Sequence, residues 1–146
     1  MLLWATYSDL HTEVDVSGDR EGLRALADAL SRPSAKEIVL DQPPIAVDQP
    51  PFAITESHPM ESISIEPNDG GDPRIRFRRE GTTLVISGSG QELARIVGGA
   101  IGDVAAGPET KSGVGSHVHF DPTSDPEHRY YAPNSSSIIV GFTPST

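Results

Sequence analysis

The segment 117–121, His-Val-His-Phe-Asp, carries the residue types best suited to chemistry. In an extended strand, side chains two positions apart leave the same face of the sheet, so both imidazoles and the carboxylate are predicted to point one way. Imidazole and carboxylate groups at this spacing are competent ligands for zinc or non-haem iron. His128 follows after a proline-rich turn and could fold back as a further ligand. One hypothesis is therefore a small metal-dependent enzyme that uses His117, His119, Asp121 and His128 to activate a water.

A surface role is the alternative for the same segment, and it is the one we predict. If Val118 and Phe120 face the core, the two histidines and the aspartate must face solvent or a partner. The other histidines of the chain, at positions 11 and 58, lie in no recognisable ligand setting. Tyr130 and Tyr131 could add contact area, or either could instead cap the core. The predicted partner-binding residues are His117, His119, Asp121, Tyr130 and Tyr131, with no catalytic residue, metal or cofactor.

Composition and charge narrow the class of protein. The chain has 146 residues, the usual size of one domain, and it has no cysteine, which excludes disulfides and thiolate metal sites. A formal net charge of −10 repels phosphate backbones and favours a basic partner, so we predict a protein partner and no nucleic acid. No apolar run approaches the roughly 20 residues of a membrane span, and the N-terminus lacks the pattern of a signal peptide. The predicted location is the cytoplasm, without membrane contact.

The chain contains an internal repeat: the segments 14–30 and 84–104 both have the order strand, Ser-Gly turn, helix. In both predicted helices the apolar residues recur at three- and four-residue spacing, which places them on one face. Asp19 is predicted to cap the first helix, and Ser89 with Glu92 the second. Gly98 and Gly102 lie one turn apart in the second helix, which predicts that this face packs close to another backbone; the alternative is a helix that frays after Val97.

Each half of the chain then has the order strand, strand, helix, strand, which predicts an α+β fold. We expect a largely antiparallel sheet with two helices on one face, derived from a duplicated unit. Turns at 68–72 and 80–81 predict that three consecutive strands form a meander. The predicted strands lie near 1–8, 11–17, 36–40, 61–66, 73–79, 82–87, 115–121 and 136–142.

The predicted organisation is a single domain over 1–146, with a first half at 1–40, a Pro-rich connector at 41–59 and a second half at 60–146. Within the connector, the sequence Asp-Gln-Pro-Pro at 41–44 recurs at 48–51. Paired prolines favour the extended polyproline II conformation, which is typical of stiff connectors. A third hypothesis makes this repeat the docking element of a structural or assembly subunit of a bacterial complex.

The C-terminal third contains the segment 117–121, Tyr-Tyr-Ala-Pro at 130–133, Ser135 and the strand Ile-Ile-Val at 138–140. In these residues it resembles immunity protein family 32 of bacterial polymorphic toxin systems. It implies an α+β domain that is encoded beside a secreted toxin and that binds and neutralises this toxin in the producing cell.

Overall fold

A computed structural model describes residues 1–8, 13–32, 34–43, 57–107 and 117–142. The described strands are β1 (Leu3–Ser8), β2 (Val14–Gly18), β3 (Lys36–Val39), β4 (Ser57–Pro59), β5 (Ser62–Pro67), β6 (Arg76–Glu80), β7 (Thr83–Gly88), β8 (His117–Phe120) and β9 (Ile138–Phe142). Every predicted strand is present within a few residues, whereas β4 was not predicted.

Two long helices accompany these strands. The first is α1 (Arg20–Ser31). The second runs without a break over 90–106 and consists of α2 (Gly90–Glu92), a π-helical stretch (Leu93–Gly98) and α3 (Gly99–Ala106). A short 3-10 turn, Pro122–Ser124, follows β8. None of the helices in the described ranges has the length and apolar character needed to span a bilayer.

The strands form two sheets where one was predicted. The first sheet has the order β4-β1-β2-β9-β8, and the second has the order β3-β5-β7-β6. Most neighbours are antiparallel, but β2 runs parallel to β9 and β5 runs parallel to β7. The α+β class and the largely antiparallel pairing are therefore confirmed.

The predicted meander is wrong, because β7 lies between β5 and β6. Three consecutive side chains of β7, those of Leu84, Val85 and Ile86, are buried. A strand that is apolar on both faces is stable in the middle of a sheet and not at its edge. The chain therefore passes from β5 over the end of β7, where the Asn68 amide donates to the Gly88 carbonyl (2.7 Å).

The two halves of the chain have matching topology. The hairpin of β1 and β2 leads through α1 to β3 in the other sheet, and the hairpin of β6 and β7 leads through the second helix to β8 in the first sheet. Asp19 and Ser89 cap their helices as predicted: the Asp19 carboxylate accepts from the Gly22 amide (2.7 Å), and the Ser89 hydroxyl accepts from the Glu92 amide (3.1 Å). The second bond of a capping box is not made, because the Ser89 amide donates to the Pro73 carbonyl (3.0 Å). Origin by duplication stays a prediction. The Pro-rich repeat falls mostly outside the described residues.

Both helices pack on each other and contribute to one hydrophobic core that is shared with the two sheets. The two helices come close together at Gly98. A Cβ atom added there would lie 3.3 Å from both the Ala27 carbonyl oxygen and the Leu30 Cβ atom. The predicted close approach at this glycine is confirmed, and the second helix does not end at Val97.

Candidate functional site

The five-stranded sheet has an inner face in the core and an outer face that points away from it. Burial alternates along β2 and β9, since every second side chain there is buried. The residues between the buried positions, together with their partners on β1 and β8, define what we call the outer face. The outer face consists of Trp4, Thr6, Asp15, Ser17, His117, His119, Ile139 and Gly141.

Strand register arranges the outer face in two rows. One row runs from Trp4 through Ser17 and Gly141 to His117, and the other runs from Thr6 through Asp15 and Ile139 to His119. Since β2 is the middle strand of the sheet, Asp15 stands near the centre of the face.

The two histidines of β8 are both exposed and stand side by side at one edge of the outer face. Their ring centroids are 5.0 Å apart, and the rings meet edge to face. Phe120 is buried in the core, and the half-buried Val118 packs against the same core. The orientation predicted from the spacing of the two imidazoles is therefore confirmed.

Asp121 lies just beyond β8 and caps the turn that follows. Its carboxylate accepts from the Thr123 amide (3.0 Å), the Thr123 hydroxyl (2.7 Å) and the Ser137 hydroxyl (3.4 Å). These bonds, that from the Thr123 hydroxyl foremost, lower the pKa of Asp121. The carboxylate thus links the end of β8 to the turn that follows and to the segment before β9.

Asp125 organises the next part of this loop, and sequence analysis did not single it out. Its carboxylate accepts from three backbone amides, those of Arg129 (3.0 Å), Tyr130 (2.8 Å) and Tyr131 (2.9 Å). The pKa of Asp125 is lowered, chiefly by the Tyr131 amide. An aspartate at the start of a turn often bonds backbone amides that follow it, but nothing in the sequence indicated that this one is buried.

The two tyrosines that follow Asp125 have different surroundings. Tyr131 is only 9% exposed and lies in the core, with its ring centroid 6.2 Å from that of Phe77. Tyr130 is 50% exposed and lines a shallow cleft beside Arg74 and Arg95. Tyr131 is therefore a core residue, the alternative that the sequence left open, and Tyr130 is the tyrosine accessible to a partner.

The four side chains of the metal hypothesis do not converge. His128 has a left-handed backbone (φ 55°), and its carbonyl accepts from Arg74 (3.3 Å). Within the described ranges, which include all four predicted ligands, no three histidine, aspartate or glutamate side chains come close enough to hold a metal ion.

Asp15 is the charged group at the centre of the outer face. Its pKa is raised, chiefly because the surrounding protein removes part of its hydration; the charge of Glu13 adds to the shift, and His119 opposes it. Among the described residues, no cation forms a salt bridge with Asp15. In the second sheet, by contrast, Arg78 pairs with Glu66 (3.3 Å) and Glu80 (3.1 Å).

We expect the Asp125 carboxylate to make the fold sensitive to acid. Because its pKa is lower in the folded than in the unfolded chain, it stabilises the fold at neutral pH, and this contribution is lost as the pH falls below about 4. Asp125→Asn should lower Tm at pH 7 and flatten the fall of Tm in acid, as thermal melts from pH 7 to pH 3 would measure. The control is Glu127→Gln in the same loop, whose exposed side chain pairs only with Arg129 among the described residues. An equal effect of both substitutions would contradict the role of Asp125.

Comparison with known families adds one match. The model of immunity protein 32 matches residues 13–32 and 83–143, which is more than half of the chain. No curated protein matches the chain, and no solved structure does. The matched ranges contain β2, β8 and β9 of the outer face, both helices and the central strand β7, whereas β1 and β3–β6 lie outside them. The resemblance predicted from residues 117–140 is confirmed, and the chain belongs to the immunity protein 32 family.

Proposed function

We propose that this protein is a non-catalytic immunity protein, which binds a cognate bacterial toxin domain in the cytoplasm of the producing cell. Binding would neutralise the toxin by covering the surface that the toxin needs for its activity. Family membership supports the class of function. The observation that carries the proposal is the outer face of the five-stranded sheet, whose two exposed histidines stand on a strand inside the matched range.

The composition of the outer face suits a protein partner. It combines an indole, two imidazoles and the side chain of Ile139 with few charges, as the central parts of protein interfaces do. Gly141 has no side chain, so the surface is low between His117 and Ser17, its neighbours in register. A partner side chain could occupy this depression.

The backbone of the outer face is held by the sheet, which reduces the entropy lost on binding. Hydrogen-bonded strands fix the positions of these side chains before a partner arrives, and such preorganisation favours affinity. The turn capped by Asp121 holds the end of β8 in the same way. We therefore assign the main contacts to His117 and His119. Asp121 and Tyr130, which are exposed in the following loop, stay predicted contacts at the periphery.

The test is binding to the toxin domain encoded in the same operon, measured by isothermal titration calorimetry with the purified protein. Replacing both histidines in one variant, His117→Ala with His119→Ala, should raise Kd by about tenfold or more, since two adjacent ring contacts are lost. Tm should change little because both side chains are exposed.

Arg24→Ala provides the control, since Arg24 is exposed on α1, away from the outer face. It should leave Kd unchanged. Wild-type protein that neither binds the toxin domain nor relieves its toxicity would refute the proposed function. Equal binding by the double-histidine variant and the wild type would refute the assignment of the surface.

A further inference from the structure

We propose, on the basis of the function proposed above, that the toxin places a basic side chain, most favourably an arginine, against Asp15 at the centre of the outer face. The inference names the chemistry of the partner at one position. It follows from the place of Asp15 in the sheet and from the charges that surround it.

Asp15 is exposed and central. Its register neighbours are Thr6 on β1 and Ile139 on β9, and neither can neutralise a carboxylate. His119 stands one strand further, beyond Ile139. Among the residues that the structure describes, the titratable groups of this face are Asp15, His117 and His119. Glu13, just before β2, adds a second negative charge that acts on Asp15.

A partner that covered the outer face would remove the remaining water from Asp15. Burial of a carboxylate without a cation is strongly unfavourable, so a neutral partner surface would bind poorly here. The raised pKa shows that the neighbouring protein has already removed part of the hydration, which strengthens the attraction to an incoming cation. A basic group on the toxin would both neutralise the buried carboxylate and gain from this stronger attraction.

Trp4 favours arginine over lysine at this position. In the register of β1 and β2, Trp4 lies diagonally across from Asp15, which is within reach of a long side chain. A guanidinium group can bond a carboxylate in bidentate fashion while its plane stacks on an aromatic ring, and an ammonium group cannot do both. The net charge of −10 would also speed the encounter with a basic surface.

The decisive variant is Asp15→Asn, which removes the charge and preserves the shape. With the toxin domain of the same operon as the probe, we expect Kd to rise by about tenfold or more, because close charge pairs in interfaces commonly strengthen binding by at least this factor. Added salt should weaken the binding of the variant less than that of the wild type. The Tm of the free variant should equal or exceed that of the wild type, because the Asp15 carboxylate forms no salt bridge with any residue that the structure describes.

Asp103→Asn is the matched control. Asp103 is exposed on α3, away from the outer face, and its replacement makes the same change in net charge. It should leave Kd within about twofold of the wild type, since a distant surface charge is screened by salt. A loss of affinity equal to that of Asp15→Asn would indicate a general charge effect and overturn the proposal.

The remaining outcomes separate this inference from the proposed function. Equal Kd values for wild type and Asp15→Asn would overturn the contact with Asp15 and leave the immunity function standing. Failure of the wild type to bind would overturn both. A fall in Tm that accounts for the loss of affinity would make Asp15 a structural residue and refute the contact, and Asp15→Glu, which keeps the charge, should then bind no better than Asp15→Asn.

Discussion

Replacement of Phe77 by alanine should lower the free energy of unfolding by about 3–5 kcal/mol, the usual cost of removing a large buried ring. Phe77 is fully buried on β6 in the second sheet. Its ring packs against those of Phe120, at 5.7 Å, and Tyr131, at 6.2 Å. The cavity would therefore open between the second sheet and the strand that carries the two histidines.

Urea denaturation monitored by circular dichroism measures this loss. Phe77→Leu, which keeps most of the volume, should cost about 1 kcal/mol and serves if the alanine variant does not fold. Val39→Ala is the control, because the Val39 side chain is 81% exposed, and it should change stability by less than about 0.5 kcal/mol. Phe77→Ala should also weaken toxin binding, because Phe120 anchors the end of β8. An effect of Phe77→Ala no larger than that of Val39→Ala would contradict the packing.

Gly98→Leu should destabilise the protein by about 1–3 kcal/mol or more by forcing the two helices apart. A Cβ at Gly98 would lie 2.9 Å from the Ser31 hydroxyl oxygen, which itself donates to the Ala27 carbonyl. The remaining atoms of a leucine would extend further into the contact with α1. Leucine favours the helix over glycine, so the packing cost must exceed this gain for the variant to be destabilised.

Gly99→Leu is the matched control for helix propensity. Gly99 is exposed, and the nearest neighbour of an added Cβ, the Ala94 carbonyl oxygen, would lie at an ordinary 3.7 Å. This variant should be as stable as the wild type or more stable by up to about 1 kcal/mol. Thermal melts of both variants measure the difference, and two equal Tm values would show that the helices do not meet at Gly98.

Many features of the fold are encoded locally, and the sequence was sufficient to predict them. Short runs of strand-forming residues bounded by turn residues predicted the strands of both sheets, because both signals lie within a few neighbouring positions. Asp19 and Ser89 cap their helices through bonds that span three residues, so short motifs identified both helix starts. Gly98 and Gly102, one turn apart, indicated a close helix contact, because residues without side chains allow another backbone to approach. This signal also lies within one turn of the helix.

Strand neighbours, by contrast, are decided by contacts between distant parts of the chain. The parallel pairing of β2 with β9 joins the first and last described strands of the matched ranges, and no local pattern specifies it. The meander failed for this reason, although the buried run of β7 was a signal for a central strand. The sequence showed that Asp15 belongs to a strand, but only the register placed it between Thr6 and Ile139.

The candidate site divides in the same way. The spacing of His117 and His119 was enough to predict a common orientation, because two residues on one strand need only the pleat to align them. Tertiary packing decided which tyrosine is buried: Tyr131 packs against Phe77 in the core, whereas its neighbour Tyr130 stays exposed. It also placed the Asp125 carboxylate on three amides and assembled the outer face from four strands. Periodicity tells which side of an element is buried, whereas the identity of the groups it meets depends on the packing of the whole chain.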